Sequence, residues 1–346
     1  MRHYVTCVLR FLLCLSAAVI GPSLAAGYRV YVSNERSGEV TVIDGNVHEV
    51  VAVWPVGKRP RGLHLSPDGR TLYVAVSGSP RLGPGVDRDG AKALTADKSA
   101  DGIAAIDVRT GKFLRKLDVG SDPEEFALSA DGLTLYVSNE DVGQASAWDV
   151  RTGRKLFAAD VTAEPEGVRL HPTKPEVYIT CEEVGDVFVL HASTGQTLAQ
   201  LRTGGRPRKI AFAPDGTHAY VPVEGKGEVA IIDASARRLV STIPIPGRAL
   251  PMDAALSLDG RELFVSTGRG NSIAVIDVAR REVTSDIPVG ERVWGIALSP
   301  DGRTLFTANG ASNDVSIVDI ALRREVKRVK VSDGPWGVAI GPQPEH

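Results

Sequence analysis

From Gly27 onward the chain alternates apolar and polar positions in short runs of five to seven residues, broken by tight turns. YRVYVSN (28–34), TLYVAVS (71–77) and LTLYVSN (133–139) have the strict two-residue period and β-branched content of half-buried strands. A second kind of run ends in Ile-Asp or a close variant: VTVID, IAAID, VAIID, IAVID and VSIVD. Between the runs stand SPDG (66–69 and 299–302), APDG (213–216), SADG (129–132) and SLDG (257–260). In each, aspartate precedes a glycine that supplies the positive φ of a tight turn. This pattern predicts strands and hairpins and no long helix.

The pattern repeats. The frame G-x-x-P-x-G recurs with its proline at Pro60, Pro123, Pro165, Pro207, Pro251 and Pro335, and with Val293 in proline's place once. Successive spacings are 63, 42, 42, 44, 42 and 42 residues. A period near 42 is the length of one four-stranded propeller blade. The chain opens on the second strand of a unit and closes with the first strand of a unit, PWGVAIGP (335–342). The expectation is therefore an all-β, seven-bladed β-propeller of four-stranded antiparallel blades, its last blade closed by the N- and C-terminal strands. Such closure removes the open sheet edges. An open solenoid would need capping repeats, and none is present.

Two segments fall outside the repeat. Residues 1–26 carry Arg2 and Arg10, a short apolar core from Phe11 to Ile20, and small residues in PSLAA. They are expected to be a cleaved signal peptide, giving a periplasmic protein with one propeller domain over 27–346. No run beyond Gly27 is long and apolar enough to span a membrane. In the first blade an insertion at about 79–101 replaces a short loop. It is rich in Gly, Asp, Lys and Arg, and is expected to be an irregular excursion over the channel mouth.

Composition narrows the function. The full chain has a formal net charge of −2, and loss of Arg2 and Arg10 takes it to −4. That balance opposes a nucleic-acid binder, which wants a basic face. Cys7 and Cys14 leave with the signal, so Cys181 remains without an internal disulfide partner. A haem-attachment CxxCH is absent.

The seven copies serve as an internal control. The aspartates before the turn glycines and those that end the third strands recur in nearly every blade, so they read as local turn caps. His191 replaces one of them. The residue after the frame proline varies instead: Arg61, Glu124, Glu166, Arg208, Met252, Trp294 and Trp336. It starts the innermost strand at the mouth of the channel, on the face built from variable loops. One arc is charged and the next apolar and aromatic. A small amphipathic ligand, planar or acidic, between tryptophan faces and arginines is the binding site this ring suggests. On the same face Glu35, Glu140, Glu182 and Glu224 occupy one equivalent loop position and are expected to be solvated. Ca²⁺ favours such oxygens, but equivalent positions in separate blades need not converge, so no metal or other cofactor is assigned.

YVSN (31–34 and 136–139), NERSGEVTVID (34–44), DPEEFAL (122–128), VGERVWGIAL (289–298) and NGASNDVSIVD (309–319) carry a resemblance. The chain resembles the YVTN family of seven-bladed β-propellers. Within it, the chain is most similar to the β-propeller proteins associated with pyrroloquinoline-quinone (PQQ)-dependent catabolism. The resemblance implies an exported propeller made alongside quinoprotein alcohol oxidation and transfers no catalytic residue. The resulting expectation is a monomeric accessory protein that binds a small molecule or a periplasmic partner protein at the channel mouth. The alternative is a propeller lactonase or related hydrolase. That chemistry wants a metal or a His/Arg/Glu cluster in the channel, and no histidine is expected at the mouth.

Overall fold

The computed structural model describes residues 27–80 and 96–344. The expected signal segment and residues 81–95 of the insertion lie outside the described residues. Seven four-stranded antiparallel sheets account for the chain, with almost no helix. They are the predicted propeller blades. The first blade runs from Leu63–Leu65 to Phe113–Leu117, the second from Pro123–Leu128 to Lys155–Asp160, and the third from Pro165–Leu170 to Thr197–Arg202. The fourth starts at Ala211–Phe212, the fifth at Ala254–Leu256 and the sixth at Val293–Leu298. In the seventh, Pro335–Pro342 from the C-terminal end pairs with Tyr28–Asn34, which closes the ring as expected.

The core lies in the seams between blades. Seven buried apolar clusters are present, each joining two neighbouring sheets. In one seam Tyr31, Val40 and Val42 of the seventh blade meet Leu72, Val74 and Ile106 of the first. The alternating pattern is thus two-sided: both faces of a middle strand are buried between neighbours. Charged and polar residues go to the outer strands, such as REVKRVK at 324–330.

The serine of YVSN ties blades together. Ser138 Oγ accepts the Glu125 N–H at 3.2 Å and donates to the Glu166 carbonyl of the next blade at 2.7 Å. Ser33, Thr180 and Ser266 make the same bridge, donating to the carbonyls of Arg61, Arg208 and Trp294. The neighbouring asparagines cap locally; Asn139 Nδ2 donates to the Val119 carbonyl at 2.9 Å.

The repeated aspartates are turn caps, as expected. Asp68 accepts from Ser66 Oγ at 2.5 Å and from the Arg70 N–H at 3.1 Å. Asp44 accepts the Asn46 and Val47 N–H groups at the end of its strand. His191 does the same work through Nδ1, which accepts the Ser193 N–H at 3.2 Å.

Candidate functional site: the channel mouth

The ring residues are aimed by a backbone irregularity. In the second, third, sixth and seventh blades the first strand bulges opposite the second, so two residues face one. Glu124, Glu166, Trp294 and Trp336 sit in these bulges, a device that turns a side chain out of the ladder. The residue before the frame proline also departs from extended geometry. Arg59, Asp122, Glu164 and Arg292 have φ between 44° and 56°, where the seventh blade uses Gly334. Non-glycine residues carry a backbone cost there, and such strain gathers at functional positions. All four line the cavity.

That cavity, about 1430 Å³, opens on the loop-rich face. Ten of the eleven candidate residues line it; Glu166, 3% exposed, does not. Two arginine clusters dominate one arc. Arg61 is 2% exposed. It donates to Asp122 at 2.6 Å and pairs with Glu124 at 3.1 Å and Glu140 at 3.3 Å. Arg208 pairs with Glu166, Glu182 and Glu224, its Nε reaching Glu224 at 2.8 Å. Burial works against both guanidinium charges. The surrounding carboxylates more than offset it and raise both pKa values.

This corrects two expectations. Glu140, Glu182 and Glu224 are not simply solvated acids: each pairs with a buried arginine, and Glu35 pairs with Arg59 at 3.1 Å. The equivalent loop positions do converge, because long arginine side chains reach across a blade boundary. Nor do Arg61 and Arg208 offer free positive charge to an acidic ligand, since carboxylates already saturate them. Glu124 differs from the other acids. Burial raises its pKa well above the ordinary carboxylate value; Arg61 opposes the shift, and Glu140 and Glu166 add to it. Burial thus favours its protonated form.

The opposite arc is aromatic. Trp294 and Trp336 stack at 6.0 Å between centroids with 24° between planes. Met252 is 5% exposed beside them. The Arg292 guanidinium covers Trp294 at 5.0 Å. Arg208 approaches the same ring at 5.9 Å, and so links the charged and aromatic arcs.

Sequence reasoning missed a second layer. The last glycine of the frame is replaced in three blades, by Glu125, Lys209 and Asp253. Elsewhere that glycine is a steric need: a Cβ on Gly167 would sit 2.6 Å from the Arg208 carbonyl, and one on Gly295 2.7 Å from that of Trp336. The three exceptions meet in the channel. Lys209 Nζ lies 3.1 Å from Glu125 and 3.5 Å from Asp253. His64 Nε2 completes the group at 3.0 Å from Glu125. Burial pushes the Glu125 carboxyl up, but Lys209 and His64 hold it down at about 2. The signal was in the sequence: three charged departures at one position that is otherwise glycine.

The lining of the mouth includes no histidine among the described residues. No group of three or more His, Cys, Asp or Glu among them is arranged to hold a metal. No helix among them is long and apolar enough to cross a membrane. Cys181 is fully buried and unpaired, and burial pushes its thiol up to about 11.

Fold and mouth together define a seven-bladed β-propeller with a polar, tryptophan-walled cavity on its loop face. Comparison with known proteins agrees on the architecture. The family described as "Lactonase, 7-bladed beta-propeller" matches residues 168–334. An uncharacterized protein YncE from Salmonella typhi is 44% identical over 46 residues, which are 13% of this chain and 13% of that protein. A counterpart from Salmonella typhimurium matches equally. The chain thus covers only a small part of the curated relatives it matches. Among solved structures, a functionally unknown protein from Desulfotomaculum acetoxidans has a TM-score of 0.74 at 14% identity, covering 91% of this chain and 99% of that one. A putative 6-phosphogluconolactonase from Bacteroides fragilis has a TM-score of 0.72 at 19% identity, covering 93% and 100%. Hydrazine synthase of Kuenenia stuttgartiensis has 0.67 at 18%, covering 82% and 95%. At these identities the likeness is one of fold.

Proposed function

We propose that this chain is an exported propeller that binds a small amphipathic ligand at the channel mouth, without catalysing a reaction. The observation that carries the reading is the Trp294–Trp336 stack on the wall of the 1430 Å³ cavity. Indole faces beside saturated ion pairs suit a planar or polyhydroxylated body, neutral or modestly charged, better than a strongly anionic one. Periplasmic location and service to quinoprotein alcohol oxidation follow from the signal-like leader and the sequence resemblance. They are part of the proposal, as is the monomeric state. The test is tryptophan emission of the purified protein titrated separately with PQQ, alcohol-derived aldehydes and acids, and Ca²⁺. Saturable quenching that is lost in Trp294→Ala supports the reading. A flat response to every probe overturns the small-ligand version and leaves a partner protein as the occupant.

A second reading has its own support. The lactonase family match and the putative 6-phosphogluconolactonase among the structural neighbours favour a hydrolase. The mouth holds a plausible acid–base pair for it. Burial favours the protonated form of Glu124, and Glu124 and Glu140 both face Arg61, at 3.1 and 3.3 Å. In lactone opening, water adds to the carbonyl carbon while Glu140 accepts its proton. Glu124 gives its proton to the departing ring oxygen. Hydrolysis of δ-gluconolactone followed by pH-stat, abolished in Glu124→Gln, would favour this reading over the first. No hydrolysis above the uncatalysed rate removes it for that lactone.

A further inference from the structure

The mouth cavity explains the ring residues but not the charged trio below them. Glu125, Lys209 and Asp253 are not among the residues that line the cavity. They come from the second, fourth and fifth blades: Lys209–Asp253 joins neighbours, whereas Lys209–Glu125 reaches past the third blade. The innermost strand is short in the first, fourth and fifth blades, at Leu63–Leu65, Ala211–Phe212 and Ala254–Leu256. The second, third and sixth blades keep six-residue first strands. A buried charged triad of this kind adds little to stability when compared with an apolar filling. A chain that keeps one has a use for the lysine beyond its two carboxylates.

It touches Trp336. The Lys209 ammonium stands 4.6 Å from the Trp336 ring centroid, within cation–π range. Trp336 stacks on Trp294, whose ring in turn has the Arg292 guanidinium at 5.0 Å and that of Arg208 at 5.9 Å. Each indole of the pair thus has a cation against it. Trp336 is 4% exposed, so its orientation is set from within the channel and not by solvent.

We infer that Lys209 is the positioning residue of the aromatic wall: clamped by Glu125 and Asp253, its ammonium fixes Trp336, and through Trp336 the ring of Trp294 that faces the cavity. The inference deepens the binding proposal in that it says what holds the site in shape. The stack itself exists without any ligand, so it can be tested independently of that proposal.

The test is the exciton circular-dichroism couplet of the two indoles, recorded without ligand in a Trp54→Phe, Trp148→Phe background. Acrylamide quenching of the same protein is the companion measurement. Lys209→Met is expected to lose at least about half of the couplet and to quench about twofold more readily, while Lys209→Arg retains both values. If Lys209→Met alone does not fold, the triple variant Glu125→Gln, Lys209→Met, Asp253→Asn removes the unpaired charges and carries the same expectation. An unchanged couplet in either folded lysine-free variant overturns the inference. Because no ligand is added, a negative titration with PQQ or aldehydes would refute the binding proposal and leave this result standing.

Discussion

Lys209 of the fourth blade and Trp336 of the seventh meet across the channel, ammonium to ring centroid, at 4.6 Å. The contact joins the two parts of the molecule that the repeat does not make alike. One is the charged trio that replaces frame glycines. The other is the tryptophan pair that replaces charged ring residues.

The trio gives a stability prediction with a definite pH dependence. Removing Lys209 leaves Glu125 and Asp253 facing each other without their cation. Breaking a buried pair costs about 3–5 kcal/mol, and Lys209 is 20% exposed, so about 2–4 kcal/mol is expected for Lys209→Met at pH 7. In the intact protein the Glu125 pKa is depressed to about 2. Its contribution is therefore full above the unfolded carboxylate range and is lost as pH falls from about 4 toward 2. In Lys209→Met the same carboxyl takes up a proton more readily. The difference between the two proteins in urea unfolding should shrink from pH 7 to pH 4. A difference that stays constant would show that Glu125 and Lys209 are not coupled.

Glu124 behaves in the opposite sense. Its folded pKa is raised by burial and by Glu140 and Glu166, so the stability it lends is present at low pH and declines as pH rises through the folded value. Glu124→Gln mimics the protonated form. It is expected to cost less than wild type loses on ionising that carboxyl, and to flatten the decline in stability that sets in above about pH 4. Glu166→Gln, which weakens the Arg208 pair, should cost more; unfolding curves at pH 6 and pH 9 check both.

The blade-bridging hydroxyls are expected to matter as much as core methyls. Ser138→Ala removes the acceptor of the Glu125 N–H and the donor to the Glu166 carbonyl, both buried. Leaving those groups unpaired should cost about 2 kcal/mol, measured as a lower urea midpoint.

Cys181 gives a simple check on burial. A thiol that is fully buried and shifted to about 11 should not react with a disulfide reagent such as dithionitrobenzoate in the native protein, and should react fully in urea. Reaction of native protein at the rate of a free thiol would contradict the packing described.

Much of this architecture was legible in the sequence, for a physical reason. Turn aspartates, turn glycines and the strand period are local requirements, so they recur wherever the unit recurs. Arg61, Trp294 and their counterparts could be placed at the mouth because they follow the frame proline, or Val293 in its place, in every copy. The pairing of those residues was not legible. Whether Arg61 turns toward Trp336 or toward Glu124 depends on side-chain reach between blades whose residues lie some 40 positions apart or more. For that reason Glu140, Glu182 and Glu224 read as solvated acids and turned out to be arginine partners. The trio was a different kind of miss. Glu125, Lys209 and Asp253 stand at a position the repeat keeps as glycine, and comparing the copies there points to the channel without any structure.

The most direct test of the account is thermal melting of the wild-type protein and Trp294→Ala against PQQ, alcohol-derived aldehydes and acids, each at rising concentration. A ligand at one hundred times its dissociation constant adds about 2.7 kcal/mol. The account predicts a melting temperature that rises with at least one of these compounds in the wild type and does not rise in Trp294→Ala. A rise of equal size in both proteins, or none in either, would contradict a ligand site at the tryptophan wall.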